Sequence, residues 1–150
     1  TFLLDYLQRT FTVDKLVTQF GPGTYVVMFG EGYGPKIQKG GGNYRDDVAL
    51  RLIDVVVYDN RDHAWWLNWA DVEDVARKLD IKTVPVVGRG ISLEDAVWRV
   101  RGRTGLGSLV ALEDKGETQH GAEGVVARTD PLLFTRRGDR LMWKLKTKDF

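Results

Sequence analysis

The spacing of apolar residues predicts helices at the start of the chain and strands after them. Within residues 1–20, apolar side chains recur at mostly helical spacings, which predicts one or two short helices. The sequence Gly21-Pro22-Gly23 then interrupts this pattern. The stretches 25–29 and 48–58 are rich in β-branched and aromatic residues, and both are typical of buried strands.

The rest of the chain alternates between helical and strand patterns. The pattern first predicts a hairpin connection over 59–62, a partner strand over 63–69, a helix over 71–79 and a short strand over 84–87. It then predicts a helix from 93 to about 101, a mobile linker over 102–121, and strands over 125–127 and 141–145. Ser92, with Asp95 three residues later, is typical of a capping box at a helix N-terminus. Short helices that interrupt an antiparallel sheet indicate the α+β class.

Composition narrows the classes of protein that fit this pattern. The chain has 150 residues, 43% of them hydrophobic and 29% charged, which indicates one soluble globular domain with its own core. The absence of cysteine excludes disulfide bonds, thiolate metal sites and a cysteine nucleophile. Two histidines argue against a histidine-rich zinc site, and no apolar run is long enough to span a membrane.

The formal net charge of +1 is too balanced to indicate a polyanionic partner by itself. Residues 128–150, however, contain seven basic and three acidic side chains. Any nucleic-acid function therefore depends on a local basic face, and the C-terminal segment supplies one.

Four charged residues suggest a nucleotide or phosphate site, although each also has a plainer explanation. Glu31, between two glycines, is either a turn carboxylate or a fixed acceptor for a ribose hydroxyl with room for close approach. Glu123 is either an exposed edge charge or a ligand for Mg²⁺, which prefers a carboxylate plus substrate phosphates. Lys144 and Lys146 are two residues apart, so they share one face of a strand, about 7 Å from each other. They are either part of a solvated surface or a pair that binds a phosphate as charge builds up on it.

Four short blocks, in this order, resemble the covalent nucleotidyltransferases. They are FGEGYGPKIQKG (29–40), LIDV (52–55), EGVV (123–126) and KLK (144–146). The first block, the most specific of the four, looks like that of the ATP-dependent RNA ligases that seal nicks in duplex RNA, of the phage and kinetoplastid editing type. The resemblance covers about residues 24–150 and implies an α+β core of two antiparallel sheets around a nucleotide cleft, with helices outside.

The resemblance also implies roles for single residues in binding ATP. Glu31 would bind the ribose of the adenylate, and Ile53 occupies the position where the family often has an aromatic ring that stacks on adenine. Isoleucine can cover the ring by dispersion but lacks a π face. Arg128 stands where a further basic residue often follows the Glu-Gly block. Lys36 and Lys39, in the glycine-rich loop, could reach phosphates, although the resemblance gives them no firm role.

The implied catalytic residues are Glu123, Lys144 and Lys146. Glu123 would position Mg²⁺ or Mn²⁺, and the two lysines would contact the α-phosphate as it is transferred. The implied reaction has three steps. AMP is transferred from ATP to a lysine, and then from the lysine to the 5′-phosphate of RNA. The 3′-hydroxyl of the other RNA end then displaces the AMP. The implied substrate is RNA with 5′-phosphate and 3′-hydroxyl ends, at a nick in a duplex.

The family's nucleophile is a lysine in a Lys-x-(Asp or His)-Gly motif, and these 150 residues contain no such motif. The chain begins at Thr1 and stops just after its last lysine block. We therefore expect residues 1–150 to be a single nucleotidyltransferase domain truncated at its N-terminal side, unable to adenylylate itself. The intact parent would carry an additional C-terminal domain and act in the cytoplasm of a cell, with a phage gene as one origin.

Several alternatives remain open at this point. The parent could be a DNA ligase or an mRNA capping guanylyltransferase, because the shorter blocks fit these enzymes as well. The chain could also be a non-catalytic nucleotide or nucleic-acid binding module, or an unrelated α+β domain that matches by chance. The sequence Trp65-Trp66-Leu67-Asn68-Trp69 could belong to the core, to a domain contact or to a stacking platform for bases. The oligomeric state cannot be inferred from the sequence.

Overall fold

The computed structural model describes residues 2–37, 39–59, 63–102 and 106–150. Its helices are α1 (Phe2–Thr10), α2 (Val13–Phe20), α3 (Trp69–Leu79), α4 (Leu93–Arg101) and α5 (Leu109–Lys115). Its strands are β1 (Tyr25–Tyr33), β2 (Ala49–Tyr58), β3 (Ala64–Trp66), β4 (Lys82–Thr83), β5 (Gly124–Arg128) and β6 (Met142–Lys146), and 3₁₀ turns cover Gly41–Asn43 and Thr147–Asp149. This mixture of helices and mainly antiparallel strands confirms the α+β class.

The chain divides into two compact units, residues 1–84 and residues 85–150. In the first unit, β2 pairs antiparallel with β1 and β3 and parallel with β4. The prediction of purely antiparallel sheets is therefore wrong at β4, where two residues run alongside Arg51 and Leu52. In the second unit, β5 and β6 form an antiparallel pair. That residues 1–150 form one nucleotidyltransferase domain stays a prediction.

The core of the first unit lies where α3 packs on β2. The helix buries four apolar residues at spacings of three and four, Val72, Val75, Ala76 and Leu79. These positions share one face of a helix, and they meet Leu52 and Val55 of β2 in a single buried cluster. Because Leu52 and Val55 are fully buried, this contact fixes which face of the sheet is turned away from α3.

The second unit begins with helix α4, whose N-terminus carries the predicted capping box. The Ser92 hydroxyl accepts a hydrogen bond from the Asp95 backbone N–H at 3.0 Å, and the Asp95 carboxylate accepts one from the Ser92 backbone N–H at 3.2 Å. These bonds satisfy two backbone donors that a helix leaves free at its start. Helices α4 and α5 both begin directly after a serine cap, Ser92 and Ser108.

Two predicted elements are wrong. The short strand predicted over 84–87 lies instead at Lys82–Thr83, and only the Val84 N–H continues the pairing, donating to the Leu52 carbonyl at 2.9 Å. The next residue, Pro85, has no N–H to donate, so the ladder ends there. The predicted linker over 102–121 contains helix α5; its residues 103–105 lie outside the described part of the chain.

The other predicted elements are confirmed with shifted bounds. Both N-terminal helices form, β1 runs four residues further than predicted, and the strand predicted over 63–69 is the shorter β3. Residues 60–62 of the predicted hairpin connection lie outside the described residues. Within the described parts of the chain, no helix has both the length and the apolar character needed to cross a bilayer.

Candidate functional site

Glu31 lies inside β1, two residues before its end, and its side chain is exposed. It is directly opposite Arg51 of β2 in the antiparallel register. Residues directly opposite each other present their side chains on the same face of a sheet, so Glu31 and Arg51 share one face. Tyr33, two residues along, is on this face too, and its hydroxyl oxygen accepts a hydrogen bond from Arg51 Nε at 3.0 Å. The face turned away from α3 therefore carries Glu31 beside a buried arginine.

The glycines on either side of Glu31 serve packing within the protein. A Cβ atom on Gly32 would lie 2.7 Å from Leu3 Cδ1 of helix α1, and one on Gly30 would lie 3.0 Å from Leu50 Cδ2. Because successive strand residues point to opposite faces, these contacts are on the other side of the sheet from Glu31. The two glycines therefore make room for Leu3, Leu50 and the backbone of Arg51, and ligand binding at Glu31 stays a prediction.

Ile53 is the extra residue of a β-bulge. Phe29 pairs with Asp54 and Gly30 pairs with Leu52, so the register between β1 and β2 shifts by one residue at Ile53. A bulge breaks the strict alternation of a strand and re-aims the side chains around it, and bulges are common beside active sites. In a regular strand, residues that face the core are two apart. Because of the bulge, the core residues Leu52 and Val55 on β2 are three apart. Ile53 itself is half-buried and lies one strand away from Glu31.

In the second unit, Glu123 directly precedes β5, and its side chain is exposed. Its carbonyl oxygen accepts hydrogen bonds from the Thr147 backbone N–H at 2.9 Å and from Thr147 Oγ1 at 3.1 Å. The next residue, Gly124, has a φ of 157°, and a Cβ atom there would lie 2.8 Å from Lys146 Cα and closer still to the Leu145 carbonyl oxygen. The Glu-Gly pair is thus fixed by close backbone contact between β5 and the end of β6.

Lys144, Lys146 and Arg128 project from one face of the β5–β6 pair. The register places Gly124 opposite Lys146, Val126 opposite Lys144 and Arg128 opposite Met142. Because these pairs alternate along the ladder, all three basic side chains lie on the same face. The predicted shared face of the two lysines is confirmed, and Arg128 joins them from the neighbouring strand. Lys144 is exposed, whereas Lys146 and Arg128 are half-buried.

A family model described as RNA ligase matches residues 5–146 of the chain. The chain belongs to the RNA ligase family. The match includes all six residues that the sequence singled out, namely Glu31, Ile53, Glu123, Arg128, Lys144 and Lys146. A comparison with curated proteins found no relative. Membership in the RNA ligase family supports a strand-joining enzyme as the broad class.

The described residues of this RNA ligase family member contain no group of three or more Asp, Glu, His or Cys side chains that could hold a metal ion. Mg²⁺ does not need such a group, because it usually keeps several waters and is bound through one or two carboxylates together with substrate phosphates. Glu123, one exposed carboxylate next to the strand pair that carries the three basic side chains, fits that requirement.

Two buried charged residues of β2 were not predicted as part of the site. Arg51 and Asp54 are 2% and 3% exposed, and both are on the sheet face that carries Glu31. The Arg51 Nη1 group also donates to the Thr83 carbonyl at 3.0 Å, and Asp54 Oδ1 accepts from the Val55 backbone N–H at 3.1 Å. The sequence carries one signal for these residues, which is their position within an otherwise apolar strand. Charged residues in such a strand are expected to be buried together with polar partners.

The tryptophan cluster divides into three different environments. Trp65 is 60% exposed, whereas Trp66 stacks on Phe29 with ring centroids 5.5 Å apart. Trp69 begins α3 and packs against the core cluster. Only Trp69 therefore contributes to the core of the first unit, and the Phe29–Trp66 pair extends along the sheet face on which Glu31 lies.

Proposed function

We propose that this RNA ligase family member is the nucleotide-binding part of an ATP-dependent RNA ligase, of the type that seals nicks in duplex RNA. The observation that carries the proposal is the row of three basic side chains, Arg128, Lys144 and Lys146, on one face of β5–β6. Charges placed in advance on rigid strands stabilise a phosphate as negative charge builds up on it. Membership in the RNA ligase family supplies the class of reaction.

In this proposal Glu31 accepts hydrogen bonds from the ribose of ATP, and Ile53 covers the adenine ring. Glu31 is suited to this role because it is exposed near the end of β1, where pairing with β2 holds the backbone in place. Ile53 is suited because the bulge presents a half-buried apolar side chain one strand away. A carboxylate accepts hydrogen bonds without donating any, so it matches ribose hydroxyls.

Lys144, Lys146 and Arg128 bind the phosphates of ATP in the same proposal. Glu123 would hold Mg²⁺ or Mn²⁺, which supplies positive charge at the phosphates when it is bound. The RNA substrate carries a 5′-phosphate at one end and a 3′-hydroxyl at the other, and these are the groups that the ligation joins.

The covalent step of the reaction requires a lysine amine that attacks the α-phosphorus of ATP while pyrophosphate leaves. The 150 residues contain no Lys-x-(Asp or His)-Gly motif to supply that amine. We therefore propose that this chain binds ATP without forming a covalent adduct. Incubation with α-labelled ATP and Mg²⁺, followed by a denaturing gel, would then leave the protein unlabelled, and label retained on the chain would contradict this point.

Calorimetric titration with ATP and Mg²⁺ tests the binding site itself. Lys144→Ala and Lys146→Ala should each weaken binding by about tenfold or more, because a hydrogen bond to a charged group contributes roughly 1.5–3 kcal/mol. Lys148→Ala is the matched control: it removes the same charge two residues beyond Lys146, in the 3₁₀ turn after β6. Equal affinities for all three variants would overturn the proposal, and tighter binding of GTP than of ATP would favour a capping guanylyltransferase instead.

A further inference from the structure

The first unit contains a cavity of about 790 Å³ whose lining includes neither Glu31 nor Ile53. Helix α1, the loop after β1, the start of β2 and the segment from the end of α3 to β4 surround it. Its basic lining residues are Arg9, Lys36, Arg45, Arg77 and Lys82. Three aspartates, Asp46, Asp47 and Asp80, also line it, so positive side chains outnumber negative ones. Three aromatic rings complete the lining, those of Phe2, Tyr6 and Tyr33.

Lys36 is held in this cavity at a cost to the backbone. Its φ is 66°, in the left-handed region that costs a residue with a side chain roughly 1–2 kcal/mol and that glycine or asparagine adopts more readily. Its ammonium group lies 4.9 Å from the centroid of the Phe2 ring. An exposed cation–π contact of this kind contributes only about 0.5–1 kcal/mol, which does not exceed the strain. A strained lysine that presents its charge to a cavity indicates a use for that charge.

The other basic groups come from several separate segments of the chain. Arg45 forms an ion pair with Asp47, and this hydrogen bond raises the pKa of Arg45. Arg77 pairs with Asp74, which is not part of the lining. Lys36 and Lys82 are both exposed and line the cavity from different segments, the loop after β1 and β4. The cavity therefore suits an anion that is contacted by more than one basic side chain.

We propose that this cavity binds the phosphate backbone of a single RNA strand, outside the ATP site. The choice of RNA rests on the proposed function, whereas the choice of a single strand rests on the cavity. Its volume is in the range of small-molecule sites, about 300–1,000 Å³, which accommodates a nucleotide or two rather than a double helix. Of the three aromatic rings that line the cavity, that of Phe2 is exposed. Basic side chains beside an exposed aromatic ring are the combination that binds single-stranded nucleic acid, by phosphate contacts and base stacking.

A binding titration followed by fluorescence anisotropy tests the inference. A labelled oligouridylate of twelve nucleotides is titrated with the full chain at several salt concentrations. Lys36→Asn removes the ammonium group while keeping a residue that tolerates a positive φ. Lys82→Gln removes the second lysine. Lys39→Asn is the matched control, since it changes the same loop and the same charge but does not line the cavity.

Each cavity variant should weaken binding about fivefold at 0.1 M salt and reduce the slope of log affinity against log salt by about 0.7, the value for one phosphate contact on a single strand. Lys39→Asn should bind like the unaltered chain. The inference would be overturned if the cavity variants bind normally or if the control variant weakens binding as much as they do. It would also be overturned if the unaltered chain shows no detectable binding, or if an equal concentration of pyrophosphate displaces the oligouridylate.

A separate arm distinguishes this inference from the proposed function. Glu31→Gln should weaken ATP binding and leave binding of the oligouridylate unchanged. If Glu31→Gln leaves ATP binding intact, the proposed function fails at that residue, and the cavity is still judged by the lysine variants alone.

Discussion

Gly124→Ala tests the local geometry that fixes Glu123 next to the basic face of β5–β6. The new Cβ atom would lie 2.8 Å from Lys146 Cα and closer to the Leu145 carbonyl oxygen, and both neighbours are backbone atoms of the paired strand. No side-chain rotation can relieve this contact, so the two strands must separate locally. The φ of 157° adds strain of its own, because residues with a side chain rarely adopt it.

The expected destabilisation is roughly 3 kcal/mol. Over-packing of a tight site costs about 1–3 kcal/mol, and an unfavourable backbone conformation costs about 1–3 kcal/mol more. Strand separation would also loosen the bonds from Thr147 to the Glu123 carbonyl. We therefore expect ATP affinity to fall together with stability, because Glu123 and Lys146 lose their fixed positions.

Urea denaturation of three alanine variants separates these contributions. Gly107→Ala has open space around it and no positive φ, so it should change the free energy of unfolding by less than about 0.5 kcal/mol. Gly138→Ala has open space but a φ of 86°, so strain alone should cost about 1 kcal/mol. Gly124→Ala should be the most destabilised of the three. If it unfolds at the same urea concentration as Gly107→Ala, the close approach of β5 and β6 is refuted.

Three further changes test the core, the proposed adenine contact and the cap of α4. Leu52→Ala, at a fully buried site, should lower the free energy of unfolding by about 2–5 kcal/mol in urea titrations, and a change below about 1 kcal/mol would contradict the described core. Ile53→Phe should tighten ATP binding by about two- to tenfold in calorimetry, since it introduces an aromatic ring that can stack on adenine. Unchanged or weaker binding would argue against the proposed adenine contact. The Ser92 hydroxyl lowers the pKa of Asp95, so the capping box should stabilise α4 above about pH 4 and lose this contribution as the pH falls through the lowered pKa. Thermal melts of Asp95→Asn should therefore show less loss of stability on acidification than the unaltered chain, and identical pH profiles would contradict this.

Local rules predicted the elements whose signals are local. The shared face of Lys144 and Lys146 follows from strand alternation alone, and the capping box of Ser92 follows from spacing alone. Helix α5 was missed because its apolar stretch is short and lies in a glycine-rich segment. Its signals were present in the sequence, namely a serine before the first turn and Gly116, which adopts a left-handed φ of 70° at its end.

Features that depend on pairing could not be predicted from one sequence. The bulge at Ile53 exists only relative to the register of β1, and the approach of Leu3 to Gly32 depends on where α1 packs. The resemblance predicted a role for Arg128 but not its position in the sheet. The pairing of β5 with β6 places its side chain on the same face as the two lysines. The cavity around Lys36 is built from four separate segments, so no single motif marks it.

The central claim is that the basic face of β5–β6 binds the phosphates of ATP. A titration of the ¹⁵N-labelled chain with ATP and Mg²⁺, followed by amide chemical shifts, tests it most directly. We predict that amides in 123–128 and 143–147 shift together as ATP is added, with one dissociation constant. An absence of shifts in both ranges, or ranges that saturate at different ATP concentrations, would contradict the claim.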